Sequence, residues 1–123
     1  MSQLFSSGQL GPLALDNRIV VSPMCQYSAE DGSATAWHMM NLGTLAQSGA
    51  GLVFIEATAV TREGRITHGC LGLYSDENEA ALAEVVTAAK KYGSAKIGLQ
   101  IGHAGRKASS RRPWEGKTLA EPL

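Results

Sequence analysis

The sequence has 123 residues, of which 44% are hydrophobic and 18% are charged, and its eleven basic residues balance its eleven acidic ones. This balance excludes proteins that bind nucleic acid mainly through a large positive charge, and the composition excludes a chain too polar to fold. The first residues show no basic cluster followed by an apolar stretch, and no window approaches the roughly 18 apolar residues of a membrane helix. We therefore expect a soluble, cytoplasmic α/β protein.

The two cysteines, Cys25 and Cys70, lie far apart in the sequence and fit no metal-ligand spacing. Because no secretory signal is present, we expect free thiols in a reducing compartment rather than a disulfide. No metal site is predicted.

The N-terminal third predicts a hairpin, a strand and a helix, in that order. The residues before Arg18, which include 10–13 together with Asp16 and Asn17, are typical of a short hairpin lid, and residues 18–21 form an apolar strand. A helix is predicted over 36–48. Its expected buried face comprises Trp37, Met40, Leu42 and Leu45.

Two more strands flank a better-marked helix. Residues 52–57 are apolar on both faces, as in a buried parallel strand, and residues 96–101 alternate, with Ile97, Leu99 and Ile101 on one side. Between them, Asp76 is expected to cap a helix that ends at Gly93, with Glu79 completing a capping box. The predicted buried face of this helix comprises Leu82, Val85, Val86 and Ala89.

This β-α-β-α-β order predicts right-handed parallel crossovers. The links that follow strands are long and those that follow helices are short, which places most loop residues at the carboxyl ends of the strands, where β/α barrels have their active sites. A barrel needs eight strands, and three are predicted here. We therefore expect a fragment, or half of a split assembly, that cannot close a barrel alone.

Candidate functional residues follow each predicted strand. Cys25 and Tyr27 lie on the loop after the first strand, where Pro23 fixes the backbone. Gln100 occupies an inward position near the end of the third strand, and its amide could both donate to and accept from a planar heterocycle. The less specific explanations are a buried cysteine, an anchoring tyrosine and an ordinary glycine-containing loop.

Glu56 and Ala57 end the second strand. A buried carboxylate needs a partner, and we expect an ion pair between Glu56 and Arg106 or Lys107. Ala57 is small enough for a flat ring to lie against it. His38 and His68 are interpreted as structural or exposed.

In this order, the segments resemble the old yellow enzyme family, most closely its bacterial xenobiotic-reductase and thermophilic-like branch. The matching residues run along essentially the whole chain: 17–19, 23–27, 37–38, 56–60, 63–66, 100–108 and 112–116. The resemblance implies an α/β fold, the TIM (β/α)8 barrel, of which residues 1–123 supply the N-terminal hairpin and the first three strands of a single domain.

The resemblance also implies a cofactor and a reaction. FMN would bind non-covalently at the mouth of the barrel, NADPH or NADH would reduce it, and the hydride would pass to an activated alkene. The flavin ring would contact Ser22, Pro23, Met24, Cys25, Ala57 and Gln100. Cys25 would tune the reduction potential through hydrogen bonding, and Tyr27 would bind the substrate.

The family's paired substrate-binding residues (two histidines, or a histidine and an asparagine) and its proton-donating tyrosine would follow a later strand, beyond Leu123. No catalytic residue is therefore expected in this chain, and His103 is not one. The flavin phosphate site would also lie later. We expect the 123-residue chain alone to bind FMN weakly and to be inactive. The full-length protein would be a homo-oligomer that acts on a small molecule, such as an activated alkene or a nitro compound, with no nucleic-acid or membrane partner.

Two alternatives remain. One is another FMN-binding barrel oxidoreductase, such as a dihydroorotate- or glycolate-oxidising relative, in which Cys25, Tyr27 and Gln100 would be incidental. The other is a non-catalytic fragment that serves as an interaction module, whose exposed apolar surface would bind dye or self-associate.

Overall fold

The structure, a computed structural model, describes residues 2–116. Its strands are β1 (Gly8–Leu10), β2 (Leu13–Leu15), β3 (Val20–Val21), β4 (Leu52–Ala59), β5 (Leu71–Gly72) and β6 (Lys96–Gly102). Its α-helices are α1 (Ala36–Ala46) and α2 (Asp76–Tyr92), which lie on either side of β4 in the sequence. Within this part of the chain, neither helix is long and apolar enough to cross a bilayer.

The predicted hairpin is confirmed. β1 and β2 pair in antiparallel register, with Gly11 and Pro12 between them. Gly11 has a φ of 56°, in the left-handed region that glycine adopts without steric cost. The following chain returns to the N-terminus, because the Arg18 N–H donates to the Leu4 carbonyl at 3.0 Å.

The main sheet is parallel and centred on β4. β6 pairs along the length of β4, while β3 pairs with its first two residues and β5 with its last two. Since a strand has only two edges, β3 and β5 share the edge opposite β6. β3 is shorter than the strand predicted over residues 18–21, because only Val20 and Val21 pair with β4. The two-residue strand β5 was not predicted, because it has no signal in the sequence.

Helix α1 confirms half of the predicted buried face. Leu42 is buried and Leu45 packs against the core, as predicted, whereas Trp37 is 48% exposed and Met40 is 60% exposed. His38 and Ala46 are buried instead. The positions 38, 42 and 46 are four residues apart, so they form one stripe, and Trp37 lies about 100° away from it. The Trp37 indole instead donates to Gln26 Oε1 at 3.0 Å.

Helix α2 has the predicted buried face but a different cap. Leu82, Val85 and Ala89 are buried. The N-cap is Ser75, whose hydroxyl accepts the Asn78 N–H at 3.2 Å, so the predicted Asp76 and Glu79 capping box is wrong. Ser75 has the extended backbone of a cap, whereas Asp76 is already helical.

The core lies between the two helices and one face of the sheet. Its buried residues are Ala29, Leu42, Ala46, Ala50, Val53, Ile55, Leu71, Leu82, Val85, Ala89 and Ala95. Ile97 and Leu99 pack against this cluster as predicted, but Ile101 is 59% exposed and lies outside it. The predicted difference in loop length is confirmed. The loops that follow strands are long, at residues 22–35 and 60–70, whereas the link from α2 to β6 comprises only residues 93–95.

Candidate functional site

An open cavity of about 300 Å³ lies at the carboxyl ends of β4 and β6. Cys25, Ala57 and Gln100, three of the residues predicted to contact a flavin, line it together. The Gln100 side chain is exposed and makes no hydrogen bond to any residue of 2–116. Ala57 presents only a methyl group, so the cavity combines a flat apolar surface with an unpaired amide and a thiol.

Ser22 and Met24 lie elsewhere. They line a smaller, more enclosed cavity on the helix side of the loop, together with Gln26, His38 and Glu56. Pro23 lines neither of these two cavities. The structure therefore gathers half of the predicted flavin contacts around one opening, and the contacts of Ser22, Pro23 and Met24 stay predictions.

The loop that contains Cys25 and Tyr27 is fixed at its far end. The Ala29 N–H donates to the Gly69 carbonyl at 2.9 Å. A Cβ on Gly69 would lie 2.6 Å from the Tyr27 carbonyl oxygen, so only glycine permits this approach of the two segments. Tyr27 itself has a φ of 54°, which is costly for a tyrosine and is maintained by these contacts.

The Tyr27 ring lies against Trp114. Their ring centroids are 5.6 Å apart in an edge-to-face arrangement. Burial raises the pKa of the Tyr27 phenol, so this side chain stays protonated at neutral pH. The sequence gives no signal for the contact, because Trp114 is 87 positions away (114 − 27).

Glu56 is the extra residue of a β-bulge. Ile55 pairs with Leu99 and Ala57 pairs with Gln100, so Glu56 has no partner in β6. Bulges redirect side chains. Here the carboxylate turns toward α1, where Oε2 lies 3.5 Å from His38 Nε2, and both side chains are buried.

The predicted ion pair between Glu56 and Arg106 or Lys107 is therefore wrong. Both cations are exposed on the turn after β6 and form no ion pair with Glu56. The His38 Nδ1 atom accepts the Thr35 N–H at 3.0 Å, which places the hydrogen of a neutral ring on Nε2, facing the carboxylate. Neither Glu56 Oε1 nor His38 Nε2 has a hydrogen-bond partner within residues 2–116, so the 3.5 Å approach of the two side chains is a close polar contact without a hydrogen bond.

The two cysteines meet at the cavity. Cys70 is buried, Cys25 is half-buried, and both are free thiols that line the opening. The neighbouring Cys70 thiol, reinforced by burial, raises the pKa of Cys25 above its ordinary range. The neighbouring Cys25 thiol and the hydrogen bonds from Thr67 lower the pKa of Cys70. Their separation in the sequence conceals this contact.

The other two histidines, His68 and His103, make local contacts of their own. His68 is partly exposed, and its Nε2 atom lies 3.6 Å from Glu115 Oε1. The exposed His103 lines the cavity, and its Nδ1 accepts the Gly105 N–H at 3.0 Å. Within residues 2–116, no group of three His, Cys, Asp or Glu side chains is arranged to hold a metal ion.

Comparison with known proteins gives consistent matches. Residues 3–118 match the NADH:flavin oxidoreductase / NADH oxidase family. An NADH:flavin oxidoreductase from Gibberella zeae is 44% identical over 113 residues, covering 92% of this chain and 27% of that protein. An NADPH dehydrogenase from Listeria welshimeri is 50% identical over 110 residues, covering 88% of this chain and 32% of that protein.

Solved structures agree. Morphinone reductase superposes with a TM-score of 0.77 at 31% identity, covering 85% of this chain and 27% of that one. The old yellow enzyme from Trypanosoma cruzi gives a TM-score of 0.74 at 30% identity, covering 86% and 28%. These neighbours confirm the expected α/β barrel fold and the resemblance to old yellow enzymes.

The chain spans about a third or less of the length of these relatives, from 27% to 32%. The match nevertheless includes nearly all of the chain, from the N-terminal hairpin to the segment after β6. Old yellow enzymes and NADPH dehydrogenases recur among the matches. The chain belongs to the NADH:flavin oxidoreductase / NADH oxidase family, a family of FMN-dependent oxidoreductases.

Proposed function

We propose that this chain forms the N-terminal part of a (β/α)8 barrel that binds FMN, takes hydride from NADPH or NADH, and reduces activated C=C bonds. The observation that supports this most strongly is the meeting of Cys25, Ala57 and Gln100 around one open cavity at the carboxyl ends of β4 and β6. This is the end of the strands at which β/α barrels bind their ligands.

The residues present fit a flavin ring. The Gln100 amide makes no hydrogen bond to residues 2–116 and can donate to and accept from the polar edge of the ring, and Ala57 leaves room for the flat face of the ring. The Cys25 thiol lies beside both. When bound, FMN would supply the two-electron chemistry, while the protein would set its position and its electrostatic surroundings.

Tyr27 is proposed to contact the substrate. Its ring packs edge-to-face on Trp114, which is 65% exposed, so the two aromatic side chains together offer an apolar surface to a small molecule. The phenol stays protonated at neutral pH and can donate a hydrogen bond.

The isolated 123 residues are proposed to bind FMN weakly and to be inactive. The outer edge of β6 has no partner strand among residues 2–116, and Gln100 and Ile101 are exposed. One side of a binding cavity is thus formed, and the remaining contacts to a ligand would come from further strands.

The test uses the protein purified from its source. We expect a yellow protein whose flavin is bleached anaerobically by NADPH or NADH and is reoxidised by an enone such as cyclohexenone. A Cys25→Ser variant should shift the flavin midpoint potential while retaining FMN. A colourless protein would contradict FMN binding. A flavin reoxidised by oxygen but not by enones would contradict C=C reduction alone.

A second candidate applies to the chain by itself. The free edge of β6 and the exposed Ile101 favour pairing with a further strand or copy, as expected for an interaction module or a homo-oligomer. Sedimentation of the 123-residue chain distinguishes the cases. A monomer that binds no hydrophobic dye would exclude the interaction module.

A further inference from the structure

The loops that follow β3, β4 and β6 meet beside Tyr27. The segment after β6 returns to the loop after β4, because the Ser110 N–H donates to the Ile66 carbonyl at 2.8 Å. The loop after β4 is joined in turn to the loop of Tyr27, because the Ala29 N–H donates to the Gly69 carbonyl. Backbone hydrogen bonds therefore hold together three loops that are distant in the sequence.

The segment after β6 carries Trp114 on a short turn, Pro113–Glu115. One oxygen of the Glu115 carboxylate accepts the Arg112 N–H at 2.9 Å, and the Glu115 N–H donates to the Arg112 carbonyl at 2.9 Å. The other carboxylate oxygen lies 3.6 Å from His68 Nε2 in the loop after β4. The turn is thus closed by its own hydrogen bonds and is tied to the neighbouring loop.

Trp114 contacts both Tyr27 and Arg112. The tyrosine and indole rings meet edge to face, with an interplanar angle of 88° and a centroid distance of 5.6 Å. The Arg112 guanidinium carbon lies 6.0 Å from the indole centroid, within the range of a cation–π contact. A Cβ on Gly69 would lie 2.7 Å from Arg112 Nε and 2.6 Å from the Tyr27 carbonyl oxygen, so both residues also pack closely on this glycine.

Trp114 contributes more to the position of Tyr27 than to the core. It is 65% exposed, so it buries little apolar area and contributes little to the stability of the fold. Tyr27 has a φ of 54°, a conformation that costs free energy for any residue other than glycine and persists only when its surroundings maintain it. The contact with Trp114 maintains the ring, as the contact with Gly69 maintains the backbone.

We propose that Trp114 is a positioning residue for Tyr27: through the edge-to-face contact it holds the phenol in the orientation that binds the substrate. The inference rests on the proposed function, in which Tyr27 contacts the substrate. Trp114 does not line the cavity that contains Cys25, Ala57 and Gln100, so it acts on the substrate through Tyr27 and not on the flavin.

The experiment mixes the anaerobically reduced holoenzyme with cyclohexenone and follows flavin reoxidation by stopped flow. The dependence of the rate on enone concentration gives the Kd of the enone and the limiting rate of hydride transfer. In Trp114→Leu the Kd should rise about twofold to tenfold, the range that an aromatic pair contributes, while the limiting rate changes by less than about twofold. The flavin midpoint potential should not change, because Trp114 lies outside the flavin cavity.

Trp114→Phe is the conservative variant. It retains a ring for the edge-to-face contact and should bind the enone within about twofold of the native Kd. The matched control is Tyr92→Leu, which removes an aromatic side chain that is 68% exposed at the end of α2 and should leave the Kd unchanged. If Trp114→Phe binds the enone as weakly as Trp114→Leu, the proposal is overturned.

A double-mutant cycle tests whether Trp114 acts through Tyr27. Tyr27→Leu should raise the Kd of the enone, and adding Trp114→Leu to it should raise the Kd no further, because the ring that Trp114 holds is already absent. Independent, multiplying effects of the two substitutions would overturn the proposal, since Trp114 would then act on the substrate by itself.

A second readout needs neither flavin nor substrate. N-acetylimidazole acetylates accessible tyrosine phenols, and mass spectrometry of the Tyr27 peptide gives the rate at this residue. In Trp114→Leu the rate should rise about twofold to tenfold, because the ring spends more time detached, while Trp114→Phe should react as the native protein does. An unchanged rate in Trp114→Leu would overturn the proposal.

The two readouts separate this inference from the proposed function. A protein that reduces no enone would contradict the proposed function, and the acetylation rates would still decide whether Trp114 holds Tyr27. Conversely, an active ene-reductase in which Trp114→Leu alters neither the enone Kd nor the acetylation of Tyr27 would refute this inference and leave the proposed function intact.

Discussion

β4 and β6 are neighbours paired at seven positions, yet their environments differ sharply. Every residue of β4 is buried or half-buried, whereas β6 is exposed at Lys96 and again from Gln100 to its end. Both strands are rich in apolar residues, so composition does not explain the difference. β4 has strands on both edges, while β6 has a partner on one edge only within residues 2–116.

The comparison separates residues that stabilise the fold from residues that are available for binding. On the helix side, Val53 and Ile55 of β4 pack with Leu82 and Val85 of α2. Past the bulge at Glu56, the two strands present Ala57 and Gln100 to an open cavity instead. Stability and binding should therefore respond to different substitutions.

The largest expected change in the free energy of unfolding comes from a substitution in the core between α1, α2 and the sheet. Leu82→Ala should lower the free energy of unfolding by about 2–5 kcal/mol, because it leaves a cavity among Leu42, Val85 and the sheet. Urea unfolding of the purified protein measures this loss. The matched control is Glu84→Ala on the exposed side of the same helix, which should cost less than about 0.5 kcal/mol. Equal losses would mean that α2 does not pack on the sheet through the face of Leu82.

Substitutions at the bulge residue Glu56 should lower the free energy of unfolding by less than Leu82→Ala does. Glu56→Ala removes the carboxylate that approaches the buried His38 ring to 3.5 Å and leaves space beside that ring, so it should cost about 1–3 kcal/mol. Glu56→Gln retains a polar group of the same size beside His38 and should cost less than the alanine variant. Thermal unfolding of both variants checks the order, and a glutamine variant less stable than the alanine variant would contradict the assigned pairing.

The sequence predicts the part of the sheet that packs on the helices well and the bulge at Glu56 poorly. Apolar periodicity is sufficient to place β4, β6 and the buried face of α2, because packing follows directly from it. The partner of Glu56 depends on a bulge, a change of register between two strands that no local pattern encodes.

The candidate site shows the same division. Cys25 follows β3, while Ala57 and Gln100 lie near the carboxyl ends of β4 and β6, and these positions are sufficient to predict that the three residues meet. The contact of Cys25 with Cys70 is not predictable in this way, because Cys70 precedes a two-residue strand that has no signal in the sequence. Contacts such as that of Tyr27 with Trp114 also depend on loop paths.

Two glycines on the helix side should give opposite effects of about 1 kcal/mol. Nothing lies within 4 Å of a Cβ built on Gly43 in α1, so Gly43→Ala should stabilise the protein by about 1 kcal/mol through helix propensity. A Cβ on Gly93 would lie 2.5 Å from the Ala46 Cβ, so Gly93→Ala should destabilise it. Urea midpoints that move in the same direction would contradict this packing of α1 against the end of α2.

The central claim, that the open side of β4 and β6 binds the flavin ring, is tested most directly by FMN affinity in the purified protein after flavin removal. Gln100→Ala should weaken binding by about tenfold, or about 1.4 kcal/mol, because it removes hydrogen bonds to the ring. The control is Gln47→Ala, at the exposed C-terminal end of α1, which should bind FMN as the native protein does. Equal affinity of the Gln100 variant and the native protein, with an unchanged flavin spectrum, would contradict the account.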